Sequence, residues 1–486
     1  MVALVSADDV RSLPRGPRGA LWQLARYAMN PSGYVARMEA RFGTPFTVPT
    51  PYGPVVVVGS PEHARELLTC TQESLTGFAS ESAEVFFGPR SLMLIGGEAH
   101  KRERKVLAPL FATTRMRGYA ARIADVTARH LAPLRTGERF FAGELAQRIS
   151  LSIIVEVLFG VEEPARLAAF ERAILEVVHT VRPALFFFQP LRRSFFGHGP
   201  WARFVRARAA VDRLLFEEIA RRRTRATEGP DVLSGMLRAR YDDGSAMDDA
   251  TVRDQLITLL VAGHETTGLA LAWGLARLHR APRALARVHD ELDAIGPDAA
   301  IEAPAPYLEA VCQETLRLDP VVPEFLRQLL VPMRLFGHDL PAGTGIAVSA
   351  ARIHRRPEIF EEPGSFLPER FLGRSYAASE YLPFGGGAFR CLGAAFALLE
   401  MRVILATLLR TRTLAMISDA PLRAGRRNFV VAPPATSRCA SCVDQRGTST
   451  RTPLTQRRIC REVKFVKRPA TRSVTDCVEP PASSTA

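Results

Sequence analysis

The residues best equipped to do chemistry lie in one run, Phe384-Gly-Gly-Gly-Ala-Phe-Arg-Cys391-Leu-Gly393. Three consecutive glycines let a backbone turn tightly and approach a flat object closely. An apolar stretch from Cys391 to Leu409 then reads as a helix. That places Cys391 at the helix N-terminus, where unpaired N–H groups and the helix dipole favour a thiolate. A thiolate beside a glycine cradle that includes Gly385 and Gly387, with Phe384 to pack on a ring, is what a haem iron takes as an axial ligand. The plainer reading is a structural cysteine beside a glycine turn, and it leaves most of the ten-residue pattern unexplained.

This segment resembles the cysteine-ligand loop of the cytochrome P450 family, haem-thiolate monooxygenases. The resemblance departs at one position. Two residues before the cysteine the family usually carries Arg or His, which meets a haem propionate; here the residue is Phe389, with Arg390 beside it. The stretch Gly97-Glu-Ala-His100-Lys-Arg-Glu-Arg104 places His100 and Arg104 four apart, on one face of a helix. It resembles the family's helix that crosses the haem, so His100 and Arg104 become candidates for the cation that Phe389 does not supply. Arg327 is a third.

On the oxygen side, Asp248 or Asp249 reads as the cap of a helix that runs to the stop at Pro282. A membrane span is excluded by His264 and Glu265 near its middle, where charge is costly. Its segment Ala262-Gly263-His264-Glu265-Thr266-Thr267 matches the family's oxygen-activation motif. Gly263 removes a side chain where oxygen must lie close to the backbone. Thr266 can bond the Ala262 carbonyl one turn back and open the helix locally. Glu265 can feed protons from solvent.

Glu314-Thr-Leu-Arg317 is, on spacing alone, a surface ion pair. Alongside the other motifs it resembles the family's buried Glu-x-x-Arg, with Arg370 of Phe366-Leu-Pro-Glu-Arg370 completing the network that fixes the cysteine loop. The resemblance implies that Val321 to Phe325, including Val322, face the haem edge and substrate. Phe86, Phe87 and Leu259 are further pocket candidates, and the aromatic stretch containing Phe186, Phe187, Phe188, Phe195, Phe196 and Trp201 is a candidate substrate roof.

The elements that position these groups read as mostly helical. Pro45 to Val58 reads as a hairpin, Pro61 to about Cys70 as a helix and residues 74 to 96 as irregular, and the resemblance implies that Thr407 to Pro434 is the family's closing hairpin. The fold class implied is mainly α with small β-sheets, α+β, in one large domain over residues 1–435 around a buried haem. The final segment, 436–486, is rich in Ser, Thr, Arg and Pro without apolar periodicity and is expected to be disordered. Its Cys439, Cys442 and Cys460 lack the histidine partners and paired spacing of a zinc site.

Composition is that of a globular protein, with 47% hydrophobic and 23% charged residues. The net charge of +14 is concentrated partly in the tail, and no nucleic-acid motif accompanies it. No signal peptide or apolar N-terminal anchor is evident, so a soluble, cytoplasmic monomer of bacterial type is expected. The resemblance implies haem b, dioxygen and an apolar small-molecule substrate such as a fatty acid, terpenoid or polyketide-like compound. It also implies electrons from a ferredoxin or flavodoxin with its NAD(P)H-dependent reductase. Lys101, Arg102 and Lys105 are the basic residues expected to steer that partner. Two other functions stay open at this level. One is a peroxide-driven peroxygenase, which would not need Glu265 and Thr266; the other is a haem gas or redox sensor, which would not need an apolar pocket.

Overall fold

Asp248 caps a helix of 30 residues, Asp249–Leu278, by accepting the Thr251 N–H at 2.7 Å. This helix is apolar all round because other elements cover most of its circumference, from Val252 and Leu256 to Trp273 and Leu278. It is the one helix among the described residues long and apolar enough to cross a membrane, and 67% of its apolar window is buried in the protein. The computed structural model describes residues 12–134, 139–181, 185, 189–194, 196–225, 229–296, 300–416, 422, 425–427, 430–432 and 463–467.

The helices that frame the site are, in chain order, α1 (Ser80–Phe87), α2 (Gly97–Leu107), α3 (Ala142–Ile153), α4 (Pro164–Thr180), α5 (Pro200–Arg225), α6 (Asp249–Leu278), α7 (Pro306–Leu318) and α8 (Ala394–Thr411). α6 packs along α3, and also against α5, α7 and α8. Gly268 permits the close crossing with α3, since a Cβ there would stand 2.8 Å from Gln147 Cγ and 3.0 Å from its Cα. The main core forms around these helices, with Trp273, Leu271, Ile149, Leu308 and Val403 in it.

A separate sheet lies apart from this helical core. Its strands are β1 (Phe46–Thr50), β2 (Gly53–Val58), β3 (Leu75–Gly77), β4 (Glu324–Leu329) and β5 (Gly345–Ser349), in the order β1-β2-β5-β4-β3. The expected hairpin is present, with Phe46 opposite Val57 and Thr50 opposite Gly53. β2 then pairs in parallel with β5, whose residues are all buried, as suits a strand covered on both faces. Ser60 caps the helix Pro61–Leu68. Residues 74–96 are more ordered than their sequence suggests, since β3 and α1 fall inside them.

At the C-terminal end, Gly425–Arg427 and Val430–Ala432 pair as a hairpin. Within the tail, Val463–Lys467 forms a strand, β7, antiparallel to β6 (Arg412–Met416) and also to Arg139–Phe140. The Val-Lys-Phe-Val-Lys sequence of β7 has the β-branched and aromatic residues that fill a strand, so these five residues depart from the expected disorder. The rest of 436–486 lies outside the described residues, as do Phe186, Phe187, Phe188 and Phe195.

Candidate functional site

The cysteine loop is built from two tight turns. Gly385 and Gly387 have φ of 64° and 60°, values that exclude most side chains. The glycines divide their work. A Cβ on Gly386 or Gly387 would collide with Leu68, at 2.8 Å from its side chain and 2.5 Å from its carbonyl oxygen, so these two let the loop pack under the Pro61–Leu68 helix. Gly385 faces open space, with Phe325 Cγ the nearest atom to a Cβ there at 3.9 Å. Phe384 packs on the main core, and its carbonyl accepts the Cys391 N–H at 2.9 Å.

Cys391 differs from the sequence expectation in one respect. α8 begins at Ala394, so the cysteine stands before the helix rather than on it. Burial pushes its thiol pKa up, opposed by the Gly393 N–H, Arg104 and Arg390. Cys391 is exposed as a residue, yet its thiol is surrounded closely by protein, as in a recess. A thiol so placed loses its proton when a metal ion binds it.

Three side chains hold consecutive carbonyls ahead of the cysteine. Gln72 Nε2 donates to Ala388 O at 3.3 Å, Arg327 Nη2 to Phe389 O at 3.4 Å, and Arg104 Nη2 to Arg390 O at 2.7 Å. The Phe389 ring contacts both His100, at 4.2 Å between centroids, and the Arg327 guanidinium, at 4.6 Å. The three residues that the sequence singled out, His100, Arg104 and Arg327, thus lie together around residues 389 and 390. Burial, followed by Arg104 and Arg327, lowers His100 to about 4, so it is neutral at pH 7. Burial and then Arg104 lower Arg327 to about 10, leaving it charged.

These groups fit a haem. His100 Nδ1 is buried without a hydrogen-bond partner among the described residues. Among the described residues, neither Arg104 nor Arg327 has a carboxylate for its charge. Two uncompensated guanidiniums and an orphaned imidazole nitrogen suit the carboxylates of a porphyrin, and the thiol beside them suits its iron.

α6 opens midway. Its residues are buried on both sides of a stretch in which Leu259, Val261, Ala262, Gly263, Glu265 and Thr266 are accessible, so the helix is uncovered there. Thr266 Oγ1 donates to Ala262 O at 2.5 Å, the back-bond its spacing predicts. A Cβ on Gly263 would lie 3.0 Å from Ile154 Cδ1, so this glycine also serves the packing of the neighbouring helix.

The Glu314–Arg317 pair is fully buried and bidentate, at 2.6 and 2.9 Å. Arg370 Nε joins Glu314 at 3.2 Å, and the Leu367 N–H donates to it at 2.8 Å. Arg317 also donates to the carbonyls of His354, Pro363 and Ser365. His354 was not singled out in the sequence, and nothing in its neighbours marks it. Its Nε2 accepts the Leu382 N–H at 2.8 Å, which leaves the proton on Nδ1, 3.2 Å from Arg317 O. The network therefore reaches the chain two residues before Phe384 through a neutral imidazole.

The pocket candidates separate. Val322 is accessible and Phe325 lies beside Gly385, while Leu259 lies on the open stretch of α6. Phe86 is corrected: it is buried in a satellite cluster with Leu185 and Phe204, 4.9 Å from the Phe204 ring, so it joins α1 to α5. Phe87 packs against that cluster, half-buried. Arg208 on α5 fastens the same contact by donating to the carbonyls of Val85 and Phe86 at 2.6 and 2.8 Å. The expected basic face carries acidic neighbours of its own. Lys101 pairs with Glu73 and Glu98, Arg102 with Asp243, and Lys105 with Asp242, so none is an uncompensated charge.

A family profile described as Cytochrome P450 matches residues 14–439. The putative cytochrome P450 135B1 of Mycobacterium tuberculosis (strain H37Rv) is 32% identical over 437 residues, covering 88% of this chain and 91% of that protein. The putative cytochrome P450 138 of the same strain is 33% identical over 438 residues, covering 89% and 97%. Among solved structures, retinoic acid-bound cyanobacterial CYP120A1 aligns with a TM-score of 0.77 at 23% identity, covering 94% of this chain and all of that one. The cytochrome P450DA heme domain aligns with a TM-score of 0.77 at 19% identity, covering 94% and 98%.

Proposed function

The chain belongs to the cytochrome P450 family of haem-thiolate monooxygenases, and from that premise we propose how its own residues divide the work on an apolar substrate. When bound, the haem supplies an iron centre at which dioxygen is split, one atom passing to the substrate and the other leaving as water. Cys391 holds the iron through its sulfur. His100, Arg104 and Arg327 hold the porphyrin carboxylates, and Phe384, Gly385 and Gly387 shape the cradle beneath the ring.

Thr266 directs its hydroxyl proton to Ala262 O, which leaves its oxygen lone pairs facing the open stretch of α6 to accept from a proton-bearing water. Glu265, half-buried on the same stretch, takes protons from solvent and passes them inward. Ala262 and Gly263 keep that stretch free of bulk. Glu314, Arg317 and Arg370 fix the backbone that carries the cysteine loop. Phe87, Leu259, Val322 and Phe325 line the substrate space.

The substrate class is an apolar small molecule of the fatty-acid, terpenoid or polyketide type. Electrons come from a ferredoxin or flavodoxin with its NAD(P)H-dependent reductase, and the enzyme works as a soluble cytoplasmic monomer. The observation that carries this reading is Cys391 set near two guanidiniums that lack carboxylate partners among the described residues. Turnover of an apolar panel with a surrogate ferredoxin system and isotopically labelled dioxygen tests it. One labelled atom per product supports the reading; product labelled only from water, or formed only with added peroxide, refutes it.

A further inference from the structure

The departure at Phe389 has a structural consequence. A basic side chain at 389 would bring a third cation against Arg104 and Arg327, both already without carboxylates among the described residues. The phenyl ring instead touches His100 and the Arg327 guanidinium together, at 4.2 and 4.6 Å. The His100 and Phe389 rings are tilted by 32°, close to stacking. The ring has little freedom to leave, because the backbone of residues 388 to 390 is held by Gln72, Arg327 and Arg104 in turn.

We propose that Phe389 is a positioning residue for the haem carboxylates: its ring fixes His100 from α2 and Arg327 from β4 against each other, so that these two side chains and Arg104 do what a basic residue at 389 would otherwise share. This rests on the haem reading above. The ring faces are what matter, since stacking and cation–π attraction both need them. Simple filling of space by Phe389, which also packs on the sheet-side core, is the competing role.

The test uses the full chain loaded with haem. Two quantities are measured: the rate of haem transfer to an apoprotein acceptor, and the ferric–ferrous midpoint potential. Phe389→Tyr keeps the ring and should stay within about twofold of wild type in transfer rate, whereas Phe389→Leu keeps most of the volume and should release haem about tenfold faster, as loss of outer-shell support does at metal sites. Phe389→Leu should also shift the potential, and it should speed release less in an Arg327→Gln background than in wild type, because one of the two side chains the ring holds is then already gone. A Phe389→Leu protein equal to wild type in both readouts overturns the proposal. If Phe389→Leu fails to fold, Phe389→Met, which also removes the ring faces while keeping an apolar side chain, serves in its place: faster release supports the proposal and an unchanged rate overturns it. A wild-type protein that retains no haem overturns the cofactor reading itself, which is a distinguishable result.

Discussion

Thr266 Oγ1 donates to the carbonyl of Ala262 at 2.5 Å, midway along a helix that is buried on either side of this turn. The bond fixes the hydroxyl rotor and so decides which way its lone pairs point. Thr266→Ala should retain haem and substrate binding but lose about 10²-fold in product formation, the usual scale for a positioned proton-transfer group. Thr266→Ser should recover most of it. Dioxygen consumption compared with product formed is the measurement; a Thr266→Ala protein still fully coupled contradicts the role. Glu265→Gln should slow turnover and enlarge the solvent isotope effect.

Removing Arg317 or Glu314 leaves an unpaired charge in a fully buried site, at about 3–5 kcal/mol. Such variants should accumulate as haem-free, poorly folded protein. His354→Leu strips the Leu382 N–H of its acceptor and should cost about 1–3 kcal/mol. Denaturant midpoints, together with the ratio of haem absorbance to protein, report both. A His354→Leu protein as stable as wild type would show that the imidazole link to the loop is idle.

Stability should fall on both sides of an intermediate pH. His354 is held down to about 3 from 6.5, by burial and then by Arg317, so its contribution is complete above pH 6.5 and is lost as pH falls toward 3. Glu400 runs the other way. Burial raises it from 4.5 to about 8, so the folded chain keeps a proton that the unfolded chain releases, and its contribution is full below pH 4.5 and lost as pH rises through 8. Thermal midpoints measured across this range should show both flanks. Glu400→Gln should flatten the alkaline flank alone; an unchanged alkaline flank would mean that Glu400 is not the group responsible.

Arg390 is exposed, stands next to Cys391 and has no ion pair among the described residues. Lys105, by contrast, is held by Asp242 at 2.7 Å. Charge reversal at Arg390 should therefore slow reduction by an acidic electron donor more than reversal at Lys105, and should lower its salt dependence. Stopped-flow reduction rates across ionic strength give the comparison. Equal effects at the two positions would return the docking role to α2.

The parts of this protein legible in its sequence are those in which local spacing does the chemical work. Thr266 and Ala262, His100 and Arg104, and Glu314 and Arg317 each share a helix face, so their relation follows from helical geometry alone. The contacts that were missed cross between distant segments. His354 lies 28 residues from the Leu382 N–H it accepts, and nothing periodic connects them. Phe86 could be seen as apolar but not as turned toward Phe204 on α5. The acids that pair with Arg102 and Lys105 come from Asp243 and Asp242, in a turn far along the chain. The order in β7 depends on partners in β6 and at Arg139–Phe140, which the tail's own composition does not announce.

Ligation of haem iron by Cys391 carries the whole account, and the spectrum of the reduced protein with carbon monoxide tests it most directly. A strongly red-shifted Soret band is expected in wild type and should be lost in Cys391→Ser and Cys391→His. A wild-type band at the position typical of histidine ligation, or a red-shifted band that persists in Cys391→Ser, would contradict it.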